Sequence, residues 1–250
     1  MKPSSPTVIG IDVGGRVKGF HAVALRDGQF EPHHFTQPEA VAAWCVAHAA
    51  QIVAIDAPCA WATVGGSRLS ERSLAIGGKT IQCFKTPTRS SAEGRAFYDW
   101  VFQGEKLYQC LFPQYRLFDV SSRKEKIVFE TFPHAIVCAL AGRIIPARSK
   151  AITRRNMLRD LGYDDGPLKN IDFVDAALCA LSADRFLHHR AQWFGDREEG
   201  YIVVPEGTDE YAARRFNLPA TFATKNPCHS KWLSVSCRSD LHCLYREDHH

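Results

Sequence analysis

The sequence predicts an α/β domain built on a mixed sheet, and three features of its first sixty residues carry that prediction. Val8–Gly15, VIGIDVGG, runs apolar into the single carboxylate of Asp12 and then turns on two glycines, the pattern of a buried strand leaving a packed sheet. Two strand-like runs, Lys18–Leu25 and Gln29–Phe35, follow it around the tight turn Arg26-Asp27-Gly28. Glu39–Ala49 then places Val41, Trp44, Cys45 and His48 at helical spacing behind Pro38, and Gln51–Asp56 is a second apolar strand ending in an acid. Three strands, a helix and a strand make an α/β pattern.

The remaining elements follow in order. Between Trp61 and Lys126 the alternation stops, and eleven Lys/Arg against six Asp/Glu accompany ten aromatics, among them Phe97, Tyr98, Trp100 and Phe102. A structureless loop of that length is improbable inside a domain, so 61–126 is expected to be a partly helical insertion over one edge of the sheet. Ile127–Thr131 is the next strand, with Glu130 as its acid, and Pro133 starts a helix that Gly142 ends. Residues 143–159 hold six basic side chains and no acidic one. Asn170 is placed to cap a long helix over Ile171–His189, and YIVV before Pro205 closes the sheet.

Composition bounds the class. A chain of 250 residues can bury the core of one large domain with an insertion. The net charge of +4 is too mild to identify a nucleic-acid partner by itself. No apolar run reaches the roughly 18–20 residues a membrane span needs, and the N-terminus has no signal-peptide apolar region; a cytoplasmic protein without membrane association is expected. The nine cysteines are irregularly spaced, as reduced and mostly buried thiols would be.

Chemistry points to the acids. Asp12, Asp56 and Glu130 end strands, and neighbouring parallel strands bring such ends to one edge of the sheet, where α/β proteins bind ligands. Asp172 and Asp175 are three apart and share a helix face with Ala176 and Cys179, whose small side chains let that helix approach the sheet closely. Several carboxylates in one place cannot all stay ionised without a cation. Mg²⁺ or Mn²⁺ prefers oxygen ligands, and two such ions roughly 3.5–4 Å apart can activate water and stabilise the leaving oxygen of a phosphodiester. Taken singly, each acid also has an ordinary reading: Asp12 and Asp56 as strand-end turn residues, Glu130 paired with an arginine, Asp172 favouring a helix N-terminus.

At these residues the chain resembles the DUF429 family, predicted nucleases with a ribonuclease H-like fold. IGIDVGG, VAIDAP at 53–58, SER at 70–72, ETFPHA at 130–135, DFVDAALCALSA at 172–183 and EEGYIVVP at 198–205 match in the family's order and cover roughly residues 7–205. The start of the Asp172 helix also looks like that of Holliday-junction resolvases of the same superfamily. The resemblance implies a ribonuclease H-like domain over 1–205, with the insertion at about 61–126, and an irregular tail over 206–250. It implies a metal-dependent nuclease acting on DNA or RNA through two Mg²⁺ or Mn²⁺ ions. Asp12 would bridge the ions, Asp56 and Asp175 would hold them, and Asp172 or Glu130 would complete the shell. Arg72 and Lys150 would contact phosphate.

Other readings compete. The basic segment, with Lys150, Arg154, Arg155 and Arg159, suits a phosphate backbone or a solvated helix face. The aromatic-rich insertion suits base stacking or a small core of its own. Gly14-Gly15 after Asp12 fits the first phosphate loop of small-molecule kinases and ATPases with an actin-like fold, but Ala-Pro-Cys after Asp56 suits no second such loop. Gly77-Gly78-Lys79-Thr80 is too short for a P-loop. A non-catalytic nucleic-acid-binding or scaffold protein would keep the fold and the acids without turnover. In the tail, Cys228, His229, Cys237, His242 and Cys243 offer zinc ligands at the spacing of no common finger.

Overall fold

The computed structural model describes residues 5–121 and 126–207; the zinc candidates of the tail lie outside them. Strands β1 (Val8–Val13), β2 (Phe20–Arg26) and β3 (Gln29–Phe35) form an antiparallel meander. Asp27 (φ +51°) and Gly28 (φ +76°) turn β2 into β3 in the left-handed conformation that a two-residue hairpin demands. Helix α1 (Pro38–Ala47) crosses back to β4 (Ile52–Asp56), which pairs parallel to β1.

The segment expected as an insertion carries α2 (Leu69–Ser73), the hairpin β5 (Ala75–Ile76) and β6 (Lys79–Thr80), and α3 (Arg89–Ala92). A 3-10 turn at Ala96–Tyr98, the longer α4 (Asp99–Leu111) and the short β7 (Arg116–Leu117) follow. The glycine pair Gly77-Gly78 is the turn of that hairpin, so no phosphate-binding helix follows it. Next come β8 (Ile127–Glu130), α5 (Pro133–Ala141), α6 (Lys150–Asp160), α7 (Ile171–Leu187), β9 (Ala191–Asp196) and β10 (Gly200–Pro205). Asn170 caps α7 by accepting the Phe173 N–H at 3.0 Å.

The eight-stranded sheet has the order β3-β2-β1-β4-β8-β10-β9, with β7 beside β8. β1, β4, β8 and β10 run parallel, and β2, β3 and β9 provide the antiparallel margins. This is the mixed α/β sheet flanked by helices that the sequence predicts, and it is consistent with a ribonuclease H-like fold. The sequence does not predict the edge strand β9, because AQWFGD alternates poorly and follows its helix after only three residues.

Strand alternation sorts the core into two layers. Ile9, Ile11, Val53, Ile55 and Val128 face α1 and α4, where Leu107, Tyr108 and Leu111 of α4 complete the packing. Val8, Ile52, Ala54 and Phe129 face α5 and α7. Helix α7 lies directly on β1. A Cβ on Gly10 would sit 2.1 Å from both the Ala176 carbonyl oxygen and the Ala180 nitrogen, so only glycine admits the helix backbone at this depth.

The six cysteines of the described region are free thiols. None of the described helices is long and apolar enough to cross a membrane.

Candidate metal centre

The close seat of α7 on Gly10 brings its first turns to the carboxyl ends of β1 and β4. Asp12 and Asp56 are register partners on these adjacent parallel strands, so their side chains leave the same face, the one α7 covers. Asp172 and Asp175 come down from α7 onto it. The structure therefore gathers Asp12, Asp56, Asp172 and Asp175 around one sheet end.

Electrostatics register the crowding. Burial, then the charge of Asp175, pushes the Asp12 carboxyl up to about 7, against the partial relief of Lys18. Asp56 is held well above the usual carboxylate range by burial and then by Asp12 and Asp175. Asp175 is raised by burial, although Arg154 opposes the rise through a direct ion pair. Oδ2 of Asp12 is buried without a hydrogen-bond partner. Such an atom costs about 1–3 kcal/mol, and a bound cation removes that penalty.

Two neighbours, Lys18 and His21, were not expected as site residues, and a third, Arg154, was expected as a phosphate contact or part of a solvated helix face. Lys18 sits in the β1–β2 turn with its Nζ 2.7 Å from Asp172 Oδ1 and 3.8 Å from Asp12 Oδ2. Burial works against its charge, but the Asp172 hydrogen bond and the surrounding acids raise its pKa on balance. His21 is the register partner of Asp12 on β2. Burial lowers its pKa, opposed by Asp172. Arg154 comes from the basic helix α6 and is itself buried against Asp175. Asp12, His21 and Asp172 each offer a ligand atom, all within 4.8 Å of one another. The expected trio of Asp12, Asp56 and Asp175 does not close to that spacing, and Asp175 is paired with Arg154. The register of β2 against β1, which the sequence does not give, is what sets His21 beside Asp12.

Glu130 is set apart from the Asp12 cluster, although its charge adds last to the rise of Asp56. Its register partner on β4 is Ile55, not Asp56, and strand alternation sends the two acids to opposite faces. There it accepts a bidentate pair from Arg68, at 2.6 Å from Nη2 and 2.7 Å from Nη1, plus the Cys59 N–H at 2.8 Å. Arg68, only 1% exposed, also donates from Nε to Glu71 Oε1 at 2.8 Å. Glu130 is thus engaged in a buried ion-pair network on the side of the sheet away from Asp12.

The expected phosphate contacts separate. Lys150 is exposed at the start of α6, and its charge reaches both Asp12 and Asp175. Arg72 lies on α2, which packs against β9 and β10, and it donates to the Ser67 carbonyl. Arg155 and Arg159 both hold Asp165, at 2.9 Å and 2.7 Å, and so brace α6 against the loop that follows it.

The family model described as "Protein of unknown function (DUF429)" matches residues 10–199. No curated protein matches the chain, and no solved structure does.

Proposed function

The chain belongs to the DUF429 family, and from its acid centre we propose that it is a metal-dependent nuclease hydrolysing phosphodiester bonds of nucleic acid. One observation carries the reading: four carboxyls converge on a sheet end where the buried Oδ2 of Asp12 accepts no hydrogen bond and has Lys18 Nζ at 3.8 Å to offset its charge. Three of them are pushed toward protonation by burial and by one another. These residues fit a divalent cation, whose charge would relieve that conflict. Asp12, Asp56, Asp172 and Asp175 would hold the ions, and of these Asp12 and Asp172 already stand within 4.8 Å of each other. Ions bound there would supply an activated water and charge stabilisation for the leaving oxygen.

The chain's own groups suit a polyanion. Lys150 stands exposed beside the acids. Along the β1–β2 turn runs a groove of about 570 Å³ lined by Arg16, Arg95 and Lys106 with Phe102 and Asp99. Val17 in its wall precedes Lys18, which pairs with Asp172 at 2.7 Å and Asp12 at 3.8 Å. Basic side chains along such a path would bind phosphates without regard to base sequence. Phe97 is exposed close by in sequence and can stack an unpaired base.

A second reading has its own observation. Lys18 and Arg154 already pair with Asp172 and Asp175, as they would in a scaffold that keeps the fold without turnover. Incubating the protein with DNA and RNA substrates, with and without Mg²⁺ or Mn²⁺, separates the two. Metal-dependent cleavage that is lost in Asp12→Asn and Asp175→Asn while both stay folded supports the nuclease. Binding without cleavage under every metal supports the scaffold.

A further inference from the structure

Resting on that reading of the acid centre, we propose that the centre has two unlike halves. The half formed by Asp12, His21 and Asp172 is a mixed nitrogen and oxygen site for a transition ion of the Mn²⁺ class. The carboxylates of Asp12, Asp56 and Asp175, spaced more widely than that trio, offer oxygen alone and would suit Mg²⁺ once they close on it.

The backbone sets this up. Asp56, Asp12, His21 and His34 are successive register partners across β4, β1, β2 and β3. They form one row on the face that α7 covers, with carboxylates at one end and imidazoles at the other. Asp12 is the member that can serve both halves.

His21 is held like a ligand awaiting its ion. It is 6% exposed, and its Nδ1 is buried with no hydrogen-bond partner. Its Nε2 lies 4.0 Å from Asp172 Oδ2, beyond hydrogen-bond reach. The ring is fixed by packing instead: the Phe173 ring meets it edge-on at 4.8 Å, and the His34 ring stands at 4.8 Å on another side. A structural histidine at this depth would ordinarily satisfy its ring nitrogens. Here His21 Nδ1 and Asp12 Oδ2, both buried without a hydrogen-bond partner, belong to neighbouring side chains in the same row.

The gap between the acids accepts positive charge. Lys18 Nζ lies between Asp172 and Asp12, at 2.7 Å and 3.8 Å. Its stem crosses Gly14 so closely that a Cβ there would meet Lys18 Cβ at 2.6 Å. The lysine is about half exposed, so its ammonium can swing to solvent and yield the place to an ion. Imidazole is a borderline nitrogen donor that strengthens binding along the first transition row, whereas Mg²⁺ gains little from it. Mixed ligation therefore discriminates between the two ions where carboxylates alone would not.

The test uses the full chain, stripped of metal and then given Mn²⁺ in the presence of excess Mg²⁺. Electron paramagnetic resonance counts bound Mn²⁺, and pulsed measurements detect any ¹⁴N nucleus coordinated to it. One Mn²⁺ per chain should survive the Mg²⁺ and show imidazole ¹⁴N modulation, which changes to the ¹⁵N pattern when only histidine is ¹⁵N-labelled. His21→Gln should remove the modulation and weaken Mn²⁺ binding by about tenfold or more, leaving Mg²⁺ binding in place. His34→Gln should leave both signals intact. The histidine-labelled wild type keeps the test decisive if His21→Gln fails to fold. Complete displacement of Mn²⁺ by Mg²⁺, bound Mn²⁺ without nitrogen modulation, or modulation that persists in His21→Gln would each overturn the inference. Of these, Mn²⁺ held by oxygen alone with cleavage preserved would leave the nuclease reading standing. Absence of any divalent-ion binding would remove both.

Discussion

Replacing Asp12 with asparagine should stabilise the metal-free protein, and the gain should depend on pH. In the folded chain the Asp12 carboxyl is raised from 3.8 to about 7. Between those values the folded state keeps a proton that the unfolded chain has released, so wild-type stability falls as pH rises through that window. At about 1.4 kcal/mol for each pH unit separating the two values, the ionised carboxyl costs the fold about 4 kcal/mol once pH exceeds 7. The asparagine side chain has nearly the same shape and no charge. Urea unfolding in a chelator should therefore show Asp12→Asn slightly more stable near pH 4 and several kcal/mol more stable at about pH 8. Adding Mn²⁺ should then favour wild type, by about 2.7 kcal/mol at a hundred times its dissociation constant, with little gain in the variant. A variant no more stable than wild type at about pH 8, or a difference that ignores pH, would refute the view that uncompensated charge is stored at this sheet end.

Three further outcomes follow from the geometry. Gly10→Ala forces a Cβ into backbone atoms of α7 at 2.1 Å; it should destabilise the fold by about 3 kcal/mol or more in denaturant titration and weaken Mn²⁺ binding by lifting Asp172 and Asp175. Glu130→Gln should cost about 3 kcal/mol by leaving Arg68 partly unpaired in a buried site, yet leave the Mn²⁺ affinity measured by calorimetry nearly unchanged, because Glu130 faces the other side of the sheet. Lys18→Met should tighten Mn²⁺ binding several-fold at low salt, by removing the ammonium that competes for Asp12 and Asp172.

Much of the molecule was legible in its residues. Apolar runs ending in acids located β1 and β4, the Asp27-Gly28 turn joined β2 to β3, and Asn170 marked the start of α7. The spacing of Asp172 and Asp175 beside Ala176 anticipated a helix pressed against the sheet, and Gly10 shows how closely. Each of these follows from interactions within a few residues, or from a period that a single element carries along its own length.

What only the tertiary structure decided concerns partners distant in the chain. Glu130 and Asp56 both end strands, but a register that sets Glu130 beside Ile55 sends them to opposite faces. The arginines of α6 resembled a phosphate surface in sequence; folding commits Arg154 to Asp175 and Arg155 and Arg159 to Asp165. His21 looked like an ordinary residue at the start of a strand until pairing set it beside Asp12. The sequence by itself determined which elements form and which side chains share a face within each of them. Register between strands and the docking of α6 and α7 decided which charges meet, because a one-residue slip reverses every side chain of a strand and long charged side chains choose among partners that only packing brings near.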